Sequence, residues 1–187
     1  MLILASNSPR RKEILAMLGY NFAVIPSDCD ENLPPMSPAD TVCELSKRKA
    51  LAVERTENDV VIGSDTIVCL NNIILGKPAD KEDAKKMLKM LSGKRHTVYT
   101  GVSVVTKEKV ITDFVSADVF FREMTEGEIE EYVNTKEPLD KAGAYGIQGK
   151  GAAYIEKIEG DFFAVMGLPA CYISKTLSSF GVFPEKT

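Results

Sequence analysis

The stretch Val60–Leu70 reads VVIGSDTIVCL and is the most apolar strand-like segment of the chain. Asn71 and Asn72 follow it, and this pair predicts a tight turn into a short strand over 73–75. Because short turns of this kind join antiparallel strands, the segment predicts a sheet that contains antiparallel pairing.

Strand and helix signals alternate on both sides of this segment, judged from apolar spacing, capping residues and turns. On its N-terminal side the sequence predicts strands over 2–5 and 22–26 and helices over 10–19 and 38–54. On its C-terminal side it predicts helices over 80–91, 125–135 and 169–180, strands over 97–106 and 110–121, and a hairpin that pairs 152–158 with 162–165. The predicted fold class is therefore α/β, a mixed sheet with flanking helices, in a single domain over 1–187.

Composition narrows the classes of protein that the chain can belong to. Its 187 residues are 44% hydrophobic and 27% charged, and the net charge is −4. Proteins that coat nucleic acid are usually basic, so we expect no nucleic-acid partner. No apolar run approaches the roughly 20 residues of a membrane helix, and the opening MLILASNSPRR lacks the features of a signal peptide. We therefore expect a cytoplasmic protein with no membrane partner.

The four cysteines are Cys29, Cys43, Cys69 and Cys171, and none forms a CxxC pair. Their even number permits two disulfides, but the cytoplasmic interpretation favours reduced, mostly buried thiols. Their spacing does not resemble a zinc site.

The first segment that indicates chemistry is SNSPRR, which contains Ser8, Arg10 and Arg11 at a predicted strand-to-helix junction. A helix start offers unpaired N–H groups and a positive dipole end, and arginine can bind phosphate with two parallel hydrogen bonds. The segment is typical of a phosphate site. The alternative is an ordinary helix cap followed by two solvated arginines.

The second segment places Asp65 within the apolar strand, with Thr66 beside it and Lys77 in a GKP sequence soon after. A buried carboxylate is unfavourable unless it binds a metal, a cation or several donors. Asp65 could therefore hold a divalent ion or activate a water molecule as a general base. The alternative is a structural ion pair.

The third segment, DKAGAYGIQG over 140–149, has three glycines and two alanines and carries Gln148. Small residues let the backbone approach a ligand closely, and a glutamine amide can both donate to and accept from a base edge. The segment matches neither a Walker loop nor a dinucleotide-binding loop. The alternative is a glycine-rich turn.

Three further residues have ordinary explanations when each is taken alone. His96 is the single histidine and is interpreted as a structural or surface residue rather than a catalyst. Glu31 lies in an acidic loop, and Lys49 lies near the apolar face of a predicted helix. With one histidine and no cysteine beside a base, nucleophilic catalysis is disfavoured. Carboxylates, lysines, arginines and glycine-rich loops favour metal-assisted attack of water on a phosphoanhydride.

Together these segments resemble the Maf family of nucleotide pyrophosphatases. The resemblance extends nearly from end to end and is carried by LASNSPRRKEIL, VIGSDTIV, LGKP, LSGKRHTVYTGV, EPLDKAGAYGIQGKGA and VMGLP. It implies a two-lobed α/β fold with a cleft, similar to that of the inosine triphosphatases. It also implies that nucleoside triphosphates are cut to the monophosphate and pyrophosphate with Mg²⁺ or Mn²⁺ as cofactor, and a homodimer is a family-level expectation.

The resemblance also implies a role for each site residue. Asp65 would activate water and share a divalent ion with Glu31, while Lys49 and Lys77 would neutralise the triphosphate. Ser8, Arg10 and Arg11 would lie at the phosphate and specificity end of the site.

Arg10, Thr66 and Gln148 match the specificity positions of the dTTP and UTP subgroup rather than those of a related subgroup that acts on 7-methyl-GTP. The amide of Gln148 can pair with the O4/N3 edge of uracil or thymine. The alternative function is a nucleotide-sensing regulator of cell division that binds nucleotides without significant turnover. An RNA-binding module fits poorly with the negative charge and the absence of tryptophan.

Overall fold

The computed structural model describes residues 1–185. Its strands are β1 (Leu2–Leu4), β2 (Ala23–Val24), β3 (Val60–Leu70), β4 (Ile73–Leu75), β5 (Arg95–Val105), β6 (Val110–Phe121) and β7 (Ile155–Gly160). Its α-helices are α1 (Pro9–Met17), α2 (Pro38–Leu51), α3 (Lys81–Leu91), α4 (Glu126–Asn134), α5 (Phe162–Met166) and α6 (Ala170–Ser179). Short 3₁₀ helices cover Glu137–Asp140, Ala142–Ala144 and Lys150–Tyr154.

The strands form one mixed sheet in the order β2-β1-β3-β5-β6-β7, and β4 pairs with β3. β1 runs parallel to β2 and β3, with Ile3 opposite Ala23 and Val61. The β3–β4 and β6–β7 pairs are antiparallel. The predicted α/β class with a mixed sheet and flanking helices is therefore confirmed, including the antiparallel hairpin after Val60–Leu70.

The chain forms two compact units. The first comprises 1–65, 100–115 and 167–185 among the described residues, and the second comprises 66–99 and 116–166. β3, β5 and β6 each contribute residues to both units, and β3 passes from one to the other after Asp65.

In the first unit, two glycines allow α2 to pack directly on the sheet. A side chain at Gly63 of β3 would overlap the backbone oxygen of Ser46, and one at Gly101 of β5 would overlap that of Val42. Residues 63 and 65 project from the same face of β3, since alternate residues of a strand share a face. Gly63 thus brings α2 close to the sheet on the face from which Asp65 projects.

The core of the second unit gathers apolar residues of β3 to β6, α3 and α4. Both helices begin as the sequence predicts. The side chain of Asp80 accepts a hydrogen bond from the backbone of Asp83, and Thr125 and Glu128 form a reciprocal capping box. These caps fix where each helix starts.

The hairpin predicted over 152–158 and 162–165 is wrong. β7 pairs instead with β6, where Ile158 lies opposite Val119, and the following residues form α5. The Asp161 carboxylate accepts hydrogen bonds from the backbone N–H groups of Phe163 and Ala164, at 2.7 and 3.2 Å. Asp161 therefore starts a helix where the sequence analysis placed a turn between strands.

All four cysteines are free, but only Cys69 is buried, so the expectation of mostly buried thiols is wrong. Within residues 1–185, no helix is both long enough and apolar enough to span a bilayer.

Candidate active site

The centre of the site in the first unit is an ion pair between Asp65 on β3 and Lys49 on α2. The Nζ of Lys49 donates to Oδ1 of Asp65 over 2.6 Å, and the two side chains are 13% and 11% exposed. Lys49 lies one helical turn after Ser46, on the same part of the helix surface, and the backbone of Ser46 and Ala50 packs against Gly63. Close packing of α2 on the sheet thus directs the lysine at the carboxylate rather than toward water.

Glu31 joins this pair from the loop that precedes α2. Its Oε1 lies 3.1 Å from Nζ of Lys49, while 59% of its side chain is exposed. The guanidinium of Arg48 donates to the backbone oxygens of Asp30 and Asn32, each over 3.1 Å. Arg48 thus holds the loop on both sides of Glu31, and the adjacent Lys49 pairs with Glu31 itself.

Arg11 on α1 adds a second cation. It donates to the backbone oxygen of Gly167 over 2.8 Å and to Oγ of Ser6 over 3.1 Å. Burial lowers the pKa of Arg11, and the charges of Asp65 and Glu31 oppose that shift while Arg10 adds to it. Arg11 therefore lies within electrostatic reach of both carboxylates.

The segment before α1 brings Ser8 and Arg10 to the same end of that helix. Ser8 is the N-terminal flanking residue of α1, Pro9 is the first helical residue, and the backbone N–H of Ser8 donates to Oγ of Ser6 over 3.2 Å. Ser8 and Arg10 are each half-buried. The predicted combination of a helix start, hydroxyls and guanidiniums is present in the folded chain.

Thr66, Lys77 and Gln148 belong to the second unit. Thr66 is half-buried on β3, whereas Lys77 and Gln148 are exposed. The backbone oxygen of Gly76, the residue before Lys77, accepts a hydrogen bond from the N–H of Gly143 over 3.0 Å. The GKP sequence and the glycine-rich segment are therefore tied together within this unit.

Sequence analysis missed Glu137, which organises the glycine-rich segment. Its carboxylate accepts hydrogen bonds from the backbone N–H groups of Lys150 and Gly151 and from the hydroxyl of Tyr132. The Tyr132 hydroxyl accepts in turn from the N–H of Gly146 over 3.1 Å. The signal that could have identified Glu137 is its place at the start of the motif EPLDKAGAYGIQGKGA.

His96 is a buried structural residue of the second unit, which decides between the structural and surface roles that the sequence left open. Its ring is 2% exposed, and its Nε2 lies 2.8 Å from the hydroxyl of Tyr145. Phe121 and Tyr145 contact the imidazole edge-on, at centroid distances of 5.1 and 5.4 Å. Burial lowers the pKa of His96 to about 4, although the nearby charge of Asp118 opposes this, so the ring is neutral at pH 7.

Comparison with known proteins identifies the family. The family described as Maf-like protein matches residues 1–180. The chain belongs to the Maf family. This confirms the resemblance found in the sequence.

Relatives within the Maf family are highly similar over nearly their full length. The chain is 48% identical over 183 residues to the dTTP/UTP pyrophosphatase of Bacillus anthracis, covering 97% of this chain and 96% of the relative. It is 51% identical over 180 residues to the dTTP/UTP pyrophosphatase of Bacillus cytotoxicus, covering 95% and 94%. Among solved structures, the Ham1 protein of Staphylococcus aureus matches at 16% identity with a TM-score of 0.47, over 64% of this chain and 71% of that chain.

The first unit of this Maf family member offers two carboxylates to a cation rather than a complete metal cage. Among residues 1–185, no group of three or more His, Cys, Asp or Glu side chains is placed to hold a metal ion. The donor set at the Lys49 ammonium is Asp65 and Glu31, both oxygen ligands. With Lys49 paired to both carboxylates and Arg11 within their electrostatic reach, the arrangement combines an acid–base group with two positive charges.

Proposed function

We propose that this Maf family member hydrolyses dTTP and UTP to the nucleoside monophosphate and pyrophosphate. The observation that carries the proposal is the buried Asp65 carboxylate, 2.6 Å from the ammonium of Lys49 and within electrostatic reach of Arg11. Such a cluster supplies a proton acceptor and compensating positive charge, which hydrolysis of a polyanionic anhydride requires. The relatives named dTTP/UTP pyrophosphatase support the choice of substrate.

In the proposed reaction, Asp65 accepts a proton from the attacking water molecule. The water oxygen forms the new bond to the α-phosphorus and keeps its other proton. The bond from that phosphorus to the oxygen that bridges the α- and β-phosphates breaks, and its electron pair leaves on this oxygen as part of pyrophosphate. Negative charge accumulates on the phosphate oxygens during this step. Lys49 stabilises it from α2, and Arg11 stabilises it from the start of α1.

The carboxylates fit a divalent ion of the Mg²⁺ or Mn²⁺ type. Mg²⁺ is usually bound by one or two carboxylates, and water and substrate phosphates complete its octahedral shell. Asp65 and Glu31 supply two such carboxylates at one ammonium group. When bound, the ion would neutralise phosphate charge and polarise the phosphoryl group.

The remaining predicted residues are assigned to substrate binding. We propose that Ser8, Arg10 and Lys77 bind phosphate, the first two beside the positive end of α1. Thr66 and Gln148 would read the pyrimidine, and the exposed amide of Gln148 would pair with its O4/N3 edge.

The proposed setting is the cytoplasm, where these substrates are produced. Modified pyrimidine nucleotides are a further proposed substrate class, because a pyrophosphatase of this kind would remove them before incorporation. We also propose that the chain acts as a homodimer and that its two compact units form one functional domain.

Pyrophosphate release from dTTP, UTP, CTP, GTP, ATP and 7-methyl-GTP, each with Mg²⁺, tests the proposal. We expect fast release from dTTP and UTP, slow release from the others, loss of activity with EDTA, and recovery when Mg²⁺ or Mn²⁺ is added back. Activity that is indifferent to EDTA would remove the metal from the account. Tight binding of UTP without release would instead support a nucleotide sensor.

A further inference from the structure

Glu137 holds a turn over 146–151, which contains the last residues of the glycine-rich segment, at both of its ends. Its carboxylate lies 2.9 Å from the backbone nitrogen of Lys150, 3.2 Å from that of Gly151 and 2.9 Å from the Tyr132 hydroxyl. Through that hydroxyl, which lies 3.1 Å from the nitrogen of Gly146, the same pair also fixes the beginning of the turn. The backbone is thereby anchored two residues before and two residues after position 148.

Two glycines of this turn, at positions 149 and 151, make room for the Glu137–Tyr132 pair. A side chain at Gly149 would overlap both carboxylate oxygens of Glu137, and one at Gly151 would overlap the Tyr132 hydroxyl. The turn therefore has no side chain at the two positions where its backbone packs against the pair. For Gly149 this is a different role from the close approach of a ligand that the sequence predicts for the glycines of 140–149.

The electrostatics favour an ionised carboxylate. Burial raises the pKa of Glu137, but hydrogen bonds from Lys150, Tyr132 and Gly151, together with the positive charge of Lys141, lower it overall. Hydrogen bonds from N–H groups to an ionised acceptor are stronger than those between neutral groups. The negative charge is thus part of what fixes the turn.

We propose that Glu137 is a positioning residue for base selection: with Tyr132 it fixes the turn over 146–151 and so presents Gln148 to the pyrimidine. Gln148 is exposed between the two anchored ends of that turn. This inference rests on the proposed function, since it assigns Glu137 a role in that substrate's recognition. A turn fixed in advance lowers the entropy that is lost when the base binds, so its effect falls on KM and base preference.

The test is a double-mutant cycle that combines Glu137→Gln with Gln148→Ala. Glutamine keeps the shape of Glu137 but removes its charge. Its amide N–H₂ group would also face backbone N–H groups, which are donors and cannot accept a hydrogen bond from it. With kcat and KM measured for UTP, dTTP and CTP, we expect Glu137→Gln to raise KM for UTP and dTTP about tenfold with kcat within about twofold. In the Gln148→Ala background the same substitution should have little further effect on KM or on the UTP-to-CTP preference.

The matched control is Glu131→Gln, the same substitution at an exposed residue of α4 in the same unit, which should leave both constants within about twofold. Equal loss in both backgrounds, or a fall in kcat with unchanged KM, would overturn the positioning role. If Glu137→Gln fails to fold, Tyr132→Phe replaces it in the cycle, because it removes the acceptor for Gly146 and keeps the carboxylate.

Amide hydrogen exchange makes failure of this inference distinguishable from failure of the proposed function. In Glu137→Gln the N–H groups of Gly146, Lys150 and Gly151 should exchange faster than in the wild type; unchanged exchange would overturn the inference whatever the activity. A wild type that releases no pyrophosphate from any nucleotide would overturn the proposed function and the role in base selection. Faster exchange would then still support the anchoring of the turn.

Discussion

Asp65 is buried and Glu137 is half-buried, and the two units hold these carboxylates in different ways. Asp65 is paired with a side chain, the ammonium of Lys49, which sits at the end of a flexible four-carbon stem. Glu137 is held by backbone N–H groups and a tyrosine hydroxyl. Main-chain N–H groups cannot move away from the Glu137 carboxylate unless the segment that carries them changes its conformation.

The difference separates chemistry from positioning. A lysine can turn toward the phosphates of a substrate, so the carboxylate beside it can act on water or a metal ion. A carboxylate that accepts hydrogen bonds from main-chain N–H groups instead stabilises the conformation of the loop that carries those groups. We therefore expect substitution of Asp65 to lower kcat without changing the fold. We expect disruption around Glu137 to make the turn over 146–151 less rigid and to weaken recognition of the substrate.

The largest expected effect sharpens the chemical side of this comparison. Asp65→Asn keeps the volume of the side chain but removes its ability to accept a proton, so we expect kcat for UTP to fall about a thousandfold. Circular dichroism and the thermal midpoint should show a folded protein. Turnover close to that of the wild type would show that Asp65 is not the general base.

Acid should weaken the second unit through His96. The pKa of His96 is about 4 in the folded chain and about 6.5 in an unfolded one, so the unfolded state takes up a proton first as the pH falls. The contribution to stability is complete above pH 6.5 and is lost progressively as the pH falls through 4; the loss amounts to about 2–3 kcal/mol by pH 4.5.

Denaturant unfolding at pH 7.5 and 4.5 measures this contribution. The loss of unfolding free energy between the two pH values should be smaller in His96→Gln, which does not titrate, than in the wild type. Equal losses in the two proteins would contradict the assignment of a buried neutral ring.

Gly149→Ala tests whether the Glu137–Tyr132 pair explains the glycine. The added methyl group would overlap the carboxylate of Glu137, so we expect a loss of about 1–2 kcal/mol in unfolding free energy and a higher KM for UTP. Gly127→Ala is the control, since that methyl group meets no described atom within 4 Å and alanine favours the helix. If both variants have the unfolding free energy of the wild type, overlap with the Glu137 carboxylate does not explain why residue 149 is a glycine.

The smallest expected effect concerns the loop that carries Glu31. Arg48→Met removes the donors to Asp30 and Asn32, so Glu31 should be held less firmly beside Lys49. We expect the Mg²⁺ concentration for half-maximal activity to rise about fivefold, with kcat at saturating Mg²⁺ little changed. Lys47→Met, at an exposed neighbour, is the control, and an unshifted Mg²⁺ requirement in Arg48→Met would separate the loop from metal binding.

Local patterns predicted what local physics determines. A nearly continuous apolar run identified β3, and capping residues placed the starts of α3 and α4 at Asp80 and Thr125, because those signals lie within a few neighbouring residues. The hairpin around Asp161 failed since the same short acidic sequence can form a turn or cap a helix.

The candidate site depends more on distant contacts. Lys49 and Asp65 are 16 residues apart, and their pairing follows from the packing of α2 on Gly63. The spacing of apolar residues along the sequence does not predict that packing. Glu137 was missed for a related reason. Its partners at Lys150 and Gly151 are backbone groups, which leave no mark in the sequence except the glycines that make room for them.

The central claim is that this Maf family member cuts UTP between its α- and β-phosphates. Phosphorus NMR of UTP incubated with the wild-type protein and Mg²⁺ observes every product directly. We predict that UMP and pyrophosphate appear in equal amounts as UTP disappears, and that neither forms at a comparable rate with Asp65→Asn. Formation of UDP and phosphate, or UTP that persists unchanged while bound, would contradict the account.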